Sequence, residues 1–224
     1  MPTPKIALLT SVTADSKKGR RFVEICRAQY NKAELDGEGA QNLNEHPGWA
    51  AYVAAGIRQF SAKGPVFPVY LEIETGGRSK EKLLTALKAD GCEASTWAQD
   101  IMGKPAWKPG KKQTVKFARV KVSDLGFTNP KKLPTTREIW ERIQELGHNL
   151  CEPGDGPAIR LALKDQPRGD YFWTAMEQIS VSGGHPDVFS VECDDGGTRW
   201  LDADWVNPDD EWYLDDEIVF RLRK

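Results

Sequence analysis

With 224 residues, 39% of them hydrophobic and eight of them tryptophan, the chain is long enough to bury a sizeable core and too aromatic for a disordered polymer. Its apolar runs fall far short of the roughly eighteen residues that cross hydrocarbon, which excludes a helical membrane span from the reading. The net charge of −2 hides a segregation: Lys104 to Arg142 holds eleven Lys/Arg against three Asp/Glu, a local net of +8, and Asp187 to Glu217 holds one Arg against twelve acids, a local net of −11.

The opening residues, Met1 to Leu9, lack the long apolar stretch and small-residue cleavage site of a signal peptide, so the protein is expected in the cytoplasm. From Gly19 to Leu35, Phe22, Ile25, Cys26 and Tyr30 fall near helical spacing, and a second helix is expected from Pro47 to about Gly64 on Trp49, Tyr52, Val53, Ile57 and Phe60. The glycine-containing stretch Leu35 to Gly39 between them reads as a flexible connection.

Val66 to Thr75 alternates as a strand, with Pro68 marking an edge or a bulge. After the Gly76-Gly77 turn, Ser79 is placed to cap a helix running through Lys88, Gly91 to end it, and a short helix follows over Ser95 to Met102. Lys104 to Lys112, with Pro105, Pro109 and Gly110, reads as an exposed basic loop. The strand expected over Thr114 to Val122 has an alternation that slips between Phe117 and Ala118, the sign of a bulge or of burial on both faces.

Thr135 and Glu138 form a capping-box pair before Ile139, Ile143 and Leu146, and Gly147 is placed to end that helix. Strands are expected at Ile159 to Leu163, Tyr171 to Ile179, Phe189 to Cys193, Leu201 to Trp205 and Ile218 to Leu222, with Asp194-Asp195-Gly196-Gly197 as a hairpin turn. The expected architecture is α+β: a helical and mixed lobe over 1–122, then a lobe over 123–224 in which one helix packs on a mostly antiparallel sheet of about five strands.

Leu125-Gly126-Phe127, Glu145 to Cys151, Arg160-Leu161, Lys164-Asp165-Gln166-Pro167, Ala175-Met176-Glu177 and the ending Val219 to Lys224 carry a resemblance to an uncharacterised bacterial protein family, strongest over the last hundred residues. The resemblance implies architecture and no catalytic residue. The region of His148 and Glu152-Pro153-Gly154 departs from the family pattern.

Chemistry-bearing residues form no recognised catalytic set. Cys26, Cys92, Cys151 and Cys193 lie far apart with no CxxC pair, which reads as buried thiols and not as a zinc site. His46, His148 and His185 sit at element boundaries or loops, without a nucleophile elbow. Gly76-Gly77-Arg78-Ser79-Lys80 lacks the spacing of a phosphate loop. Asp202, Asp204, Asn207 and Asp209 lack the register of an EF-hand. No catalytic residue, cofactor or metal is therefore expected.

Two surfaces remain, one with Trp107, Lys108, Lys111 and Lys112, the other with Asp209, Asp210, Glu211 and Trp212. The leading expectation is a non-catalytic interaction protein whose opposed basic and acidic surfaces steer a partner, a protein or a second copy of itself. One alternative is nucleic-acid binding through the basic segment 104–121, where lysines track phosphates and an aromatic stacks on a base. The other is carbohydrate binding or chemistry through the acidic segment, with Trp200, Trp205 and Trp212 as stacking rings. Against carbohydrate chemistry, strand alternation points Asp202 and Asp204 to solvent.

Overall fold

The computed structural model describes residues 36–45 and 66–223, together with Arg20, Arg21, Val23, Glu24 and Arg27. The chain divides into two compact units, Met1–Ala62 and Lys63–Lys224. In the first, the five single residues are helical and α1 spans Gly37–Glu45. Asp36 starts α1, its Oδ1 accepting the Gly39 N–H at 2.7 Å, so helix replaces the expected connection from Gly37 onward. The helix expected over 47–64, most of the one over 19–35, Cys26 and His46 lie outside the described residues.

The second unit holds β1 (Leu71–Thr75), α2 (Lys80–Ala89), β2 (Cys92–Ala94), α3 (Thr96–Ile101) and β3 (Gln113–Lys121). A 3-10 turn over Val122–Leu125 leads to α4 (Thr136–Glu145) and α5 (Asp155–Ala162). Then come β4 (Asp170–Thr174), β5 (Ile179–Ser180), β6 (Pro186–Cys193), β7 (Arg199–Trp205) and β8 (Glu217–Arg221). The strands form one mixed sheet in the order β1-β3-β8-β4-β6-β7-β2, with β5 on β6. The β2–β7 and β4–β8 pairs are parallel and the others antiparallel. Helices with a sheet are thus present as expected, but the sheet is larger than five strands and draws on both sides of residue 122. The expected division at 122/123 falls inside the 3-10 turn that follows β3, where Val122 N–H bonds Asp216 O at 2.9 Å and Ser123 N–H bonds Leu214 O at 2.9 Å.

Local chemistry accounts for most boundaries. Ser79 and Ser95 accept the Lys82 and Ala98 N–H groups at the starts of α2 and α3, and Gly91, at φ +68°, follows the end of α2. Thr135 and Glu138 form the full capping box of α4. The β6–β7 turn closes with Gly197 N–H on Asp194 O and Asp194 N–H on Thr198 O, Gly197 taking φ +89°. Pro68 precedes β1, which lies at one end of the sheet order.

The slip in β3 has burial on both faces as its cause: its pairing runs without a bulge on both sides, and Phe117 and Ala118 are both fully buried. Two expected strands differ. Residues 159–163 belong to α5 and its end, because α5 packs against β1, β6 and β7 as well as α2. Burial from several sides hides Ile159 and Arg160 together and erases a one-sided helical stripe. Gly156 lets α5 approach the sheet, since a Cβ there would lie 2.8 Å from Phe189. The strand expected over 171–179 breaks after Thr174, where Ala175 N–H turns to Val219 O at 2.9 Å and Met176 bridges to Cys151.

The core runs through Phe117, Phe172, Phe189, Phe220, Ile139 and Ile143, each with no exposed surface. Burial of side chains of this size contributes about 2 kcal/mol apiece. Cys92, Cys151 and Cys193 are buried free thiols. Among the described residues no helix is long and apolar enough to cross a membrane.

Candidate binding surfaces

Lys108, Lys111 and Lys112 are exposed on the connection between α3 and β3. Trp107 is not on that surface: it is buried, and its Nε1 donates to Pro153 O at 2.9 Å, so it anchors the loop instead of stacking on a partner. The loop lies close on glycine backbone. Gly77 N–H bonds Gly110 O at 3.0 Å. A Cβ on Gly76, whose φ is +79°, would meet Lys111 O at 2.3 Å, and one on Gly154 would meet Pro109 O at 2.3 Å. Lys112 pairs with Glu74 at 3.0 Å, whereas Lys108 and Lys111 make no ion pair among the described residues.

The acidic quartet divides similarly. Asp209 is exposed and pairs with Arg137 at 3.0 Å. The Asp210 carboxylate accepts the Asn207 N–H at 2.7 Å, and its carbonyl accepts the Thr136 N–H at 3.0 Å. Glu211 is exposed and bridges to Thr135. Trp212, expected on the surface, is buried: Nε1 donates to Thr136 Oγ1 at 2.8 Å, and the ring packs 5.1 Å from Trp173 and 5.8 Å from Trp140. This turn therefore seats the N-terminus of α4. Asp194 and Asp216 hold turns in the same way, accepting the Thr198 and Tyr213 N–H groups. The basic and acidic segments also meet directly, through Arg119–Glu217 at 2.5 Å and Arg137–Asp209, which closes part of the expected opposition.

The three tryptophans of the carbohydrate reading separate. Trp212 is in the core. Trp200 is half-buried, in a cross-strand row with Glu192 and Tyr171. Trp205 is 63% exposed and lies 5.3 Å from His185, which is 5.2 Å from Trp97 and bonded through Nδ1 to the buried Asp187 at 2.5 Å. Asp202 and Asp204 are half-buried and not fully solvated, and Asp204 accepts Trp173 Nε1–H at 2.8 Å. Burial raises the pKa of Glu192 and of Asp204, with Asp202 adding like charge to both. Among the described residues no group of three His, Cys, Asp or Glu side chains is placed to hold a metal ion.

A cleft of about 490 Å³ opens between α2 and α5 against β1. Ile73, Leu83, Ala86, Ala158, Leu161 and Ala162 give it an apolar lining, and Glu74, Arg78, Asp90 and Lys164 stand among its polar residues. Pro109 of the basic loop and Gly76 also line it. Behind it lies a buried network: Thr75 Oγ1 donates to Asp155 at 2.7 Å, Arg221 donates twice to Asp155 at 2.6 and 2.8 Å, and Arg221 reaches Glu152 at 2.6 Å. These bonds tie β1, α5 and β8 to one another and so fix the β1 and α5 sides of the cleft. A second hollow of about 530 Å³ shares Ala162 and Lys164 but is lined by Arg119. That guanidinium is already engaged by Asp170, Glu217 and Tyr70, which leaves the first cleft the better receptor for a ligand.

Nothing in the sequence reading singled out this cleft. The apolar part of its lining from α2 and α5 is alanine and leucine, residues with no chemical signature, and the second half of α5 falls in the strand expected over 159–163. Only Gly76-Gly77-Arg78 stood out, as a failed phosphate loop. No family model, no curated protein and no solved structure matches the chain.

Proposed function

We propose that this is a binding protein that takes a small organic molecule into the cleft between α2 and α5. One observation carries the reading: a hollow of about 490 Å³ lined by apolar side chains of α2, α5 and β1 together with Glu74, Thr75, Arg78, Asp90 and Lys164, a volume within the range of small-molecule sites. The basic loop, expected as a partner surface, becomes one lip of that cleft through Pro109. Binding without chemistry remains the reading.

The test uses N-phenyl-1-naphthylamine, a neutral dye that fluoresces in apolar surroundings. Parent protein is expected to enhance its fluorescence saturably. Ala158→Leu and, separately, Ala86→Leu fill the hollow and are expected to abolish the enhancement while circular dichroism stays that of the parent. No saturable enhancement with the parent, or equal enhancement with both folded variants, overturns the reading.

A second reading places a sugar on the row Tyr171–Glu192–Trp200, favoured by the raised pKa of Glu192 between two aromatic side chains. It predicts hits on a glycan array that Trp200→Ala removes.

A further inference from the structure

We infer, resting on the cleft reading above, that the ligand is an apolar molecule ending in a carboxylate or phosphate anion, and that Arg78 with the Lys108–Lys111 lip recognises that anion. Charge bookkeeping around the mouth leads there. Of the acids, Glu74 is taken by Lys112 at 3.0 Å. Asp90 is taken by Lys164 and by Arg199, the latter at 3.2 Å. Glu152 and Asp155 are taken by Arg221 at 2.6 Å each. Every carboxylate that the cleft or its supporting network presents is thus already matched by a cation.

The cations are not all used in return. Arg78 lines the cleft, is exposed, and makes no hydrogen bond or ion pair among the described residues. Lys108 and Lys111, on either side of the cleft-lining Pro109, are exposed and equally unpaired. The rim therefore keeps a surplus of positive charge beside a hollow partly walled by apolar side chains, an arrangement complementary to an amphiphilic anion and not to a cation. A guanidinium presents a planar fork of donors that matches the paired oxygens of carboxylate and phosphate alike. The lysines, as flexible point charges, raise the local concentration of anions without fixing their geometry.

The glycines sharpen the assignment. A side chain at Gly76 would collide with Lys111 O, and one at Gly154 with Pro109 O. The lysine-bearing loop is thus held against the mouth by backbone packing, with Trp107 as its anchor on Pro153. A loop fixed in this way holds Lys108 and Lys111 next to the cleft-lining Pro109 with less ordering left to be done on binding.

The experiment displaces N-phenyl-1-naphthylamine from the full-length protein with three ten-carbon probes below their micellar concentrations: decanol, decanoate and decyl phosphate. The anions are expected to displace the dye at concentrations about tenfold lower than decanol, the return of one charge-assisted contact. Arg78→Ala is expected to remove that advantage while leaving decanol unchanged, and added salt to shrink it. Whichever of decanoate and decyl phosphate is stronger identifies the head group. If decanol displaces as well as both anions, and Arg78→Ala changes nothing, the anion inference fails while the cleft stands. If the dye itself does not bind, the cleft reading fails and takes this inference with it. Because Arg78 is exposed and makes no hydrogen bond or ion pair among the described residues, its replacement does not threaten folding.

Discussion

Arg119 makes the densest set of charged contacts of any basic-segment residue. Its terminal nitrogens meet Asp170 at 2.8 and 2.5 Å, its Nε meets Glu217 at 2.5 Å, and the guanidinium lies 4.5 Å from the Phe172 ring centre with its side chain only 13% exposed. Removing it strands two partly buried carboxylates, so Arg119→Ala is expected to cost about 3 kcal/mol in urea denaturation, with no gain from the deleted charge. The pair also sets acid sensitivity. The hydrogen bond from Arg119 is the largest cause holding Asp170 below the ordinary carboxylate range, against the opposing effect of burial. A folded pKa depressed in this way means the unfolded chain binds the proton more readily, so the stabilisation is present above the unfolded pKa and is lost as pH falls through the folded one. The stability gap between parent and Arg119→Ala is therefore expected to narrow in acid, and a gap that widens as pH falls would contradict the assignment. From the sequence Arg119 was one of eleven basic residues, because its partners lie 51 and 98 positions away.

At the scale of elements, α4 was readable because its signals are local. Thr135 Oγ1 accepts the Glu138 N–H and the Glu138 carboxylate accepts the Thr135 N–H at 2.9 Å, a reciprocal pair separated by three residues. Thr135→Ala is expected to lower stability by about 1 kcal/mol, the usual loss for a helix cap, read as a shift in the thermal midpoint with the helical signal otherwise intact. The hairpin at Asp194 to Gly197 and the serine caps of α2 and α3 were legible for the same reason. What escaped depends on distant contacts. Residues 159–163 alternate in hydropathy, yet Arg160 is wholly buried and donates to the carbonyls of Leu163 and Glu192, so a charged residue that looked like the polar face of a strand is inside. Trp107 and Trp212 were misplaced similarly: their charged neighbours suggested surface, but each indole N–H finds an internal acceptor, Pro153 O and Thr136 Oγ1. The cleft was hidden more deeply still, since a hollow between α2 and α5 is defined by side chains that are small, and smallness in a sequence does not reveal which helices will face each other.

At the scale of the whole chain, strand pairing crosses the boundary expected at 122/123. β3 pairs with β8 over five residues, from Phe117↔Arg221 to Lys121↔Glu217, and with β1 on its other edge. β2 adds its three residues in parallel to β7. A fragment of residues 123–224 would thus lose the antiparallel partner of β8, keeping only β4 beside it, and uncover Val219 and Phe220, both fully buried in the intact unit. An exposed apolar edge strand of this kind invites pairing between copies. Residues 63–224, in contrast, retain the whole sheet and form a compact unit of their own. The fragment 63–224 is therefore expected to unfold in one cooperative thermal transition with dispersed amide resonances, as expected of a domain with its own core, while 123–224 is expected to aggregate or to show no transition. If 123–224 alone melted cooperatively as a monomer, the pairing of β3 with β8 would not be what holds the unit together, and the contact between the basic and acidic segments through Arg119 and Glu217 would lose its structural role with it.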